Sequence, residues 1–297
     1  MSQAQLDKLL KILERQPPLG AQPLAQERAN LDEGGARFVV PDDVTLTPVD
    51  VDGVPGEYLI APSADNKRVV LYLHGGGYVI GSIKSHRYLM QNISRQSGAR
   101  TLGLDYRLAP EHPFPAAVED ASKAYRWLLD QGYEPHNIAI AGDSAGGGLT
   151  LATLVKLRDE GIPLPAAGVL ISPWADLTGE AGSVISRADS DPMVAAEGLF
   201  SLAGKYLNGE NAKNPLASPV FADLSGLPPL LVHVGGREIL YDDAITVVNK
   251  AKAAGVEVEL LDEAEMFHVW HAFSPMLDEA QEAIDQIGSW LKTKFNN

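Results

Sequence analysis

One pentapeptide constrains the fold of this chain more than any other segment: Gly142-Asp143-Ser144-Ala145-Gly146. It follows the apolar run Ile138 to Ala141 and precedes a helix-like stretch. A serine between two glycines, placed after a buried strand and before a helix, is typical of a sharp turn that exposes the hydroxyl. The following helix directs its free N–H groups at the same place. The context predicts that Ser144 is a nucleophile, and that Asp143 is a structural hydrogen-bonding residue of the turn.

A second glycine-rich motif lies upstream, after the strand-like run Val69 to Leu73: His74-Gly75-Gly76-Gly77. Successive glycines leave the backbone open to a substrate carbonyl and can aim consecutive N–H groups at one point. Motifs of this type supply oxyanion-hole donors in lipases and esterases. We therefore expect an oxyanion hole made by the N–H groups of Gly76, Gly77 and Ala145, and a structural role for His74 in shaping the loop.

Further segments carry a resemblance to a known family: Gly81-Ser82, Asp105 to Ala116 and Ser172 to Thr178. Together with the two glycine motifs, they resemble the signature of the bacterial hormone-sensitive-lipase family of α/β-hydrolases. The resemblance runs from about Val69 to the C-terminus. It implies an esterase that uses a serine triad, mostly on short acyl chains.

A serine nucleophile needs a histidine base and a carboxylate that orients the base. In α/β-hydrolases these follow the serine in the order acid, histidine. Glu238 comes shortly after the strand-like run Leu230 to Val234. The resemblance places Glu238 at the acid position, where family members more commonly have aspartate. Asp242 and Asp243 compete for this role, but their position suits capping of the next helix.

Seven histidines are candidates for the base. His268 follows the last predicted strand by a short loop, as the order requires, and the resemblance places the catalytic histidine there. His271 lies three residues further on, and His233 is expected to be a core histidine inside a strand. The other histidines show no catalytic partner in the sequence: His86, His112 and His136. No zinc-binding helix pattern occurs among the seven, so we expect no metal site.

Strand and helix patterns alternate after an antiparallel start in residues 44–61. Alternation with short apolar strands predicts an α/β fold with a mostly parallel sheet and helices on both faces. The resemblance makes this an α/β-hydrolase fold of about eight strands with a helical cap. We expect residues 46–178 and 221–297 to form the catalytic domain. Residues 1–45 and the insertion 179–220 are expected to form the cap.

Composition narrows the partners of the chain. The formal net charge is −15, which disfavours binding to nucleic acid and to anionic membranes. The chain has no cysteine, which excludes disulfides and is compatible with the cytoplasm, where we expect the protein. Residues 1–16 have the pattern of an amphipathic helix, which either packs on the protein or touches a lipid surface. No stable membrane insertion is expected.

These observations predict an esterase that acts on small acyl esters without a cofactor. Two alternatives remain open: an amidase or deacetylase with the same triad, and a non-catalytic ligand-binding homologue. A homodimer could form through the alternating run Val256 to Leu260, although its glutamates disfavour free pairing. Five apolar residues are candidates for the pocket lining or for the core: Tyr78, Phe200, Leu202, Tyr206 and Trp270.

Overall fold

The computed structural model describes residues 2–16 and 22–295. In this part of the chain, one sheet contains eight strands. The strands are Thr45–Val51 (β1), Val54–Ile60 (β2), Asp65–Leu73 (β3), Ala99–Leu104 (β4), Ile138–Asp143 (β5), Ala167–Ile171 (β6), Leu230–Gly235 (β7) and Val258–Glu263 (β8). Their order across the sheet is β1-β2-β4-β3-β5-β6-β7-β8.

The sheet is mostly parallel, as the sequence predicts. Strand β2 is antiparallel to β1 and to β4, whereas all other neighbouring pairs are parallel. Because parallel strands end at the same edge of a sheet, the segments that follow β3, β5, β6 and β7 meet there. Crevices at this edge are the usual ligand sites of open α/β sheets.

Nine α-helices lie in the described residues: Gln3–Leu13 (α1), Leu24–Ala36 (α2), Ile83–Ser97 (α3), Ala116–Asp130 (α4), Ala145–Asp159 (α5), Ser183–Ser186 (α6), Ala196–Leu207 (α7), Tyr241–Ala253 (α8) and Asp278–Lys294 (α9). Successive side chains of a strand point to opposite faces of the sheet. In β3, Val69 and Leu71 contribute to the core shared with α4, α5 and α8. Val70 and Tyr72 contribute to the core shared with α3 and α9.

Helix α1 packs on the body of the protein. Its leucines Leu6, Leu9 and Leu13 are buried in one cluster with Phe267, Trp270 and residues of α9. This is the packing alternative that the sequence left open for the amphipathic N-terminal segment, of which Met1 lies outside the described residues. Within the described ranges, no helix has both the length and the apolar character needed to cross a membrane.

The chain between β6 and β7 contains the short helix α6 and the longer helix α7, which is predicted by the sequence over 195–207. The apolar side chains Leu199, Leu202 and Tyr206 of α7 join the main core. Leu202 also meets the glycine loop after β3, because its Cδ1 atom would lie 2.4 Å from a Cβ built on Gly77. Helix α7 therefore packs against the glycine loop that follows β3.

Candidate active site

Ser144 lies at the turn between β5 and α5. Its φ of 53° and ψ of −122° are in a sparsely populated region for a residue with a side chain. The backbone around it is fixed by two hydrogen bonds: Ser144 N–H donates to the Ile171 carbonyl at 2.8 Å, and Trp174 N–H donates to the Ser144 carbonyl at 2.9 Å. The side chain is only partly buried. The strained turn predicted from the pentapeptide is therefore present.

The two glycines of the turn allow a close approach of backbones. A Cβ on Gly146 would lie 1.9 Å from the Leu73 carbonyl oxygen, and a Cβ on Gly142 would lie 2.3 Å from the Gly146 carbonyl oxygen. Side chains at these positions would require the elements to move apart. The missing Cβ atoms thus bring the end of β3, and the loop that follows it, against the start of α5.

The glycine loop after β3 has backbone angles that favour glycine. The φ values of Gly76 and Gly77 are 114° and 62°. A Cβ on Gly76 would lie 2.2 Å from the Ile80 carbonyl oxygen, and one on Gly75 would lie 2.2 Å from Oδ2 of Asp143. Strand register sets Leu73 opposite Gly142, so the loop lies beside the turn that carries Ser144 and Ala145.

Asp143 connects the turn to the glycine loop. Its buried Oδ1 accepts hydrogen bonds from Tyr72 Oη at 2.7 Å and from Gly75 N–H at 3.1 Å. Nε2 of His86 lies 3.4 Å from Oδ2. The sequence offered no partner for His86, because helix α3 and Asp143 meet only in the folded chain. The structural interpretation of Asp143 agrees with these contacts.

Asp143 and His86 each favour the charged form of the other. Burial raises the pKa of Asp143, but the charge and hydrogen bond of His86 outweigh it and leave the pKa below its ordinary value. Burial lowers the pKa of His86, but Asp143 outweighs it and leaves the pKa raised. His74 differs, because burial lowers its pKa to about 3. Its neutral ring donates from Nδ1 to the Gly75 carbonyl at 2.7 Å and stacks on Tyr106, which fits a structural role.

Glu238 and His268 meet at the carboxyl end of β7. Oε2 of Glu238 lies 2.9 Å from Nδ1 of His268, and both side chains are buried. Oε1 accepts from Gly235 N–H at 2.6 Å. Of the acidic candidates, Glu238 is the one that the structure places against His268.

The charges around His268 outweigh its burial. Burial lowers the pKa of His268, but the hydrogen bond and charge of Glu238, followed by the charges of Asp191 and Asp143, raise it above the ordinary value. Asp191 belongs to the chain between β6 and β7, and its Oδ2 accepts from Ile239 N–H at 3.0 Å. No sequence pattern marks Asp191, because its effect on His268 depends on how the insertion packs.

Two predicted roles near Glu238 were wrong. Asp242 and Asp243 lie in the first turn of α8, but neither makes the expected cap. Asp243 is buried and its Oδ2 accepts from the N–H groups of Ala175 and Asp176, both at 2.8 Å. Asp242 accepts from Ser183 N–H at 2.8 Å. Asp243 thus fixes the loop after β6, and Asp242 holds the start of α6, because the chain after β6 passes within reach of α8.

Two other histidines, His233 and His271, form a buried pair. Nδ1 of His233 lies 3.0 Å from Nε2 of His271. Burial lowers the pKa of His233 to about 3 and that of His271 well below its ordinary value, so both rings are neutral. Trp270 packs on these rings, so its contacts are those of a core residue. His233 is a core residue, as predicted.

Ser172 is a residue of this site that the sequence marked only as part of a resemblance. Its Oγ donates to Oε1 of Glu238 at 2.7 Å and accepts from Val269 N–H at 3.1 Å. The two partners are thus the carboxylate that touches His268 and the residue that follows His268. A single serine gives no sequence signal of this kind, because its partners lie on two later loops.

Aromatic side chains close the site next to the glycine loop. Tyr78 stacks on Tyr206 of α7 with ring centroids 3.8 Å apart, and Trp174 lies 6.1 Å from Tyr78. Tyr78, Tyr206 and Leu202 are buried, whereas Phe200 is 52% exposed. Of the five apolar candidates, these three lie where the glycine loop and α7 meet.

The chain is similar to known proteins over most of its length. Residues 70–272 match a protein family described by its α/β-hydrolase fold. The chain is 49% identical to an acetyl-hydrolase of Streptomyces hygroscopicus over 79% of this chain and 78% of the relative. It is 48% identical to a crystallised esterase of the bacterial hormone-sensitive lipase family, with 98% of both chains covered and a TM-score of 0.95. A crystal of the esterase EstE5 soaked with p-nitrophenyl butyrate gives 50% identity, 99% coverage of both chains and a TM-score of 0.95.

The Asp143–His86 pair predicts a pH-dependent stability. A raised histidine pKa contributes stability below the unfolded pKa and loses it as pH rises through the folded pKa, whereas a lowered aspartate pKa contributes above the unfolded pKa. The pair therefore contributes fully between about pH 4 and about pH 6.5. We expect His86→Gln to reduce the free energy of unfolding by about 2 kcal/mol near the middle of this window, and by less at alkaline pH.

Urea unfolding of the wild type and of His86→Gln, in the middle of this window and again at alkaline pH, measures the difference in the free energy of unfolding. The exposed His136 provides the control, because His136→Gln should show no such pH dependence. An equal loss of stability at both pH values would contradict a charged pair.

Proposed function

The chain belongs to the bacterial hormone-sensitive-lipase family of α/β-hydrolases, and on this premise we propose that it is a carboxylesterase whose triad is Ser144, His268 and Glu238. The observation that carries the proposal is the 2.9 Å contact between the Glu238 carboxylate and Nδ1 of His268. It lies at the sheet edge that also carries the strained Ser144 turn. A serine, a histidine and a buried carboxylate in this arrangement are the parts of an acyl-transfer site.

The carboxylate of Glu238 defines what the histidine does. A hydrogen bond accepted from Nδ1–H leaves Nε2 of His268 free to take a proton. His268 removes the Ser144 proton while the Ser144 oxygen attacks the ester carbonyl carbon. The resulting imidazolium is stabilised by Glu238, the same interaction that raises the pKa of His268 against its burial.

The negative charge of the tetrahedral intermediate falls on the former carbonyl oxygen. We assign its stabilisation to the backbone N–H groups of Gly76, Gly77 and Ala145. Ala145 is the first residue of α5, where the helix dipole also favours negative charge. One donor of this kind typically lowers the barrier by about 2.7–4 kcal/mol.

Collapse of the intermediate breaks the bond to the alcohol oxygen. His268 gives its proton to the leaving alcohol, and an acyl ester of Ser144 remains. A water molecule then loses a proton to His268 and attacks the acyl carbon. Return of that proton to Ser144 frees the carboxylic acid, so the path needs no metal or organic cofactor.

We propose short- to medium-chain acyl esters as substrates. The support is the likeness to the esterase EstE5, whose crystal was soaked with p-nitrophenyl butyrate, and the buried apolar cluster of Tyr78, Tyr206 and Leu202 beside the glycine loop. We also propose that residues 1–45 and 179–220 form a cap over the site. Arg28 of α2 supports this assignment, because it donates to the carbonyls of Val79 and Ala109, 2.9 and 3.0 Å away.

Assembly and location stay predictions. A homodimer is supported by β8, which pairs with β7 and is the last strand in the sheet order. We expect light scattering at micromolar concentration to give twice the monomer mass, and a monomer alone would contradict the dimer. A cytoplasmic location likewise remains an expectation from the sequence.

Ser144→Ala tests the proposed nucleophile. Hydrolysis of p-nitrophenyl butyrate should fall at least about 10³-fold, because the attacking oxygen is lost. A fluorophosphonate probe should label the wild type at Ser144, as shown by peptide mass spectrometry, and should not label the variant. Turnover of the matched p-nitroanilide, measured alongside, separates an esterase from an amidase. Wild-type turnover by Ser144→Ala would contradict the proposal.

Glu238→Gln tests the acid. Three carboxylates act on His268, namely Glu238, Asp191 and Asp143, and together they raise its pKa. The acid limb of kcat/KM should therefore lie above the ordinary histidine pKa in the wild type. In Glu238→Gln the limb should move to lower pH and kcat should fall, because the carboxylate with the largest effect on the pKa of His268 is removed. His136→Gln should leave the profile in place, and an unmoved limb in Glu238→Gln would rule out the assigned acid.

A further inference from the structure

One short segment, residues 171–174, touches the surroundings of all three proposed triad residues. It begins at the last residue of β6. The Ile171 carbonyl and the Trp174 N–H hold the backbone of Ser144. Between them, Ser172 bonds to Glu238 and to the residue after His268. No step of the proposed reaction uses this segment, so its contacts need another explanation.

Ser172 has an unusual conformation for a residue with a side chain. Its φ is 46°, in the left-handed region, and its exposure is 0%. Its N–H donates to the His233 carbonyl at 2.8 Å, which continues the ladder between β6 and β7. Strained residues of this kind persist where the surrounding structure determines them, and they cluster at functional sites.

The Ser172 hydroxyl uses both of its hydrogen-bonding capacities. Its one proton goes to Oε1 of Glu238, and a lone pair accepts Val269 N–H. Glu238 and Val269 come from the loops after β7 and β8. The hydroxyl therefore joins the loop of the acid to the loop of the histidine from a third, neighbouring strand.

A glutamate needs this restraint more than an aspartate would. Its side chain has one more rotatable bond, and fixing that bond costs conformational entropy. Gly235 N–H and the Ser172 hydroxyl both bind Oε1, at 2.6 and 2.7 Å. With Oε1 occupied by two donors, Oε2 is the oxygen that faces Nδ1 of His268.

We propose that Ser172 is a positioning residue of the ester hydrolysis, whose hydroxyl holds the Glu238 carboxylate and the His268 loop in their relative placement. This inference rests on the proposed function. Ser172 acts through Glu238 and His268 and does not touch the substrate. Small misplacements of catalytic groups slow a reaction by about 10²-fold, so loss of the hydroxyl should mainly lower kcat.

Two variants separate the hydroxyl from the strain. Ser172→Ala removes the hydroxyl and keeps a Cβ at positive φ, whereas Ser172→Gly removes the hydroxyl and also relieves the strain. We expect kcat for p-nitrophenyl butyrate to fall by about 10- to 100-fold in both variants. KM should stay within about twofold, because the groups that bind the ester are unchanged. Rates are expressed per active site, as counted by fluorophosphonate labelling.

Ser94 gives a matched control. It is also 0% exposed, and its hydroxyl likewise makes one donated and one accepted hydrogen bond, to the Ala99 carbonyl at 2.8 Å and from Ala61 N–H at 3.2 Å. Ser94→Ala removes the same kind of buried hydroxyl away from the triad. It should lower the melting temperature and leave kcat per active site unchanged.

A double-mutant cycle with Glu238→Ala completes the test. If Ser172 acts through the acid, Ser172→Ala should add little further loss of kcat in the Glu238→Ala background. Full additivity would overturn the proposal, as would wild-type kcat in Ser172→Ala or recovery of kcat in Ser172→Gly. These outcomes are distinct from failure of the triad itself, which would appear as undiminished kcat in Glu238→Ala alone.

Discussion

The site depends on a backbone contact between the turn after β5 and the end of β3. Gly146, in the first turn of α5, lies so close to the Leu73 carbonyl oxygen that a Cβ at this position would overlap it. This contact sets the glycine loop, which continues from Leu73, beside the residue that precedes α5. A nucleophile and its oxyanion donors must be placed within fractions of an ångström of each other. Two backbones in contact relate the proposed nucleophile to its proposed donors in this protein, and they leave little freedom for adjustment.

Buried carboxylates then hold the loops that these backbones bring together. Asp143 bonds to Gly75 N–H, Glu238 to Gly235 N–H, and Asp243 to two N–H groups after β6. A buried polar group is costly unless hydrogen-bond partners satisfy it. Each of these carboxyl groups meets that requirement by accepting hydrogen bonds from backbone N–H groups at the carboxyl edge of the sheet. Burial raises the pKa of Asp243 to about 8, so this group holds its loop mainly in the neutral form near pH 7. The same bonds therefore satisfy the buried groups and hold the loops in place.

The sequence predicted the order of strands and helices well, because the relevant patterns are local. Alternation of short apolar runs with amphipathic stretches placed β6 at 167–171, where the structure has it. The helix predicted inside the insertion at 195–207 matches α7 to within one residue. The two glycine motifs identified their loops for the same reason, since the clash that excludes a Cβ arises in tight turns. His268 and Glu238 needed the resemblance in addition, because neither has a local signature.

Contacts between distant parts of the chain could not be predicted from the sequence. The roles expected for Asp242 and Asp243 were wrong because helix caps are local. These carboxyl groups instead bond to Ser183 and Ala175, which lie 59 and 68 residues earlier. The roles of His86 and Asp191 have no sequence signal either, because the groups on which they act, Asp143 and His268, belong to other elements of the fold. Ser172 is the clearest example. It comes directly after β6, but its partners Glu238 and Val269 are brought together only when β7 and β8 have added to the sheet in register. A residue whose role is to relate two loops can be recognised only after both loops are in place.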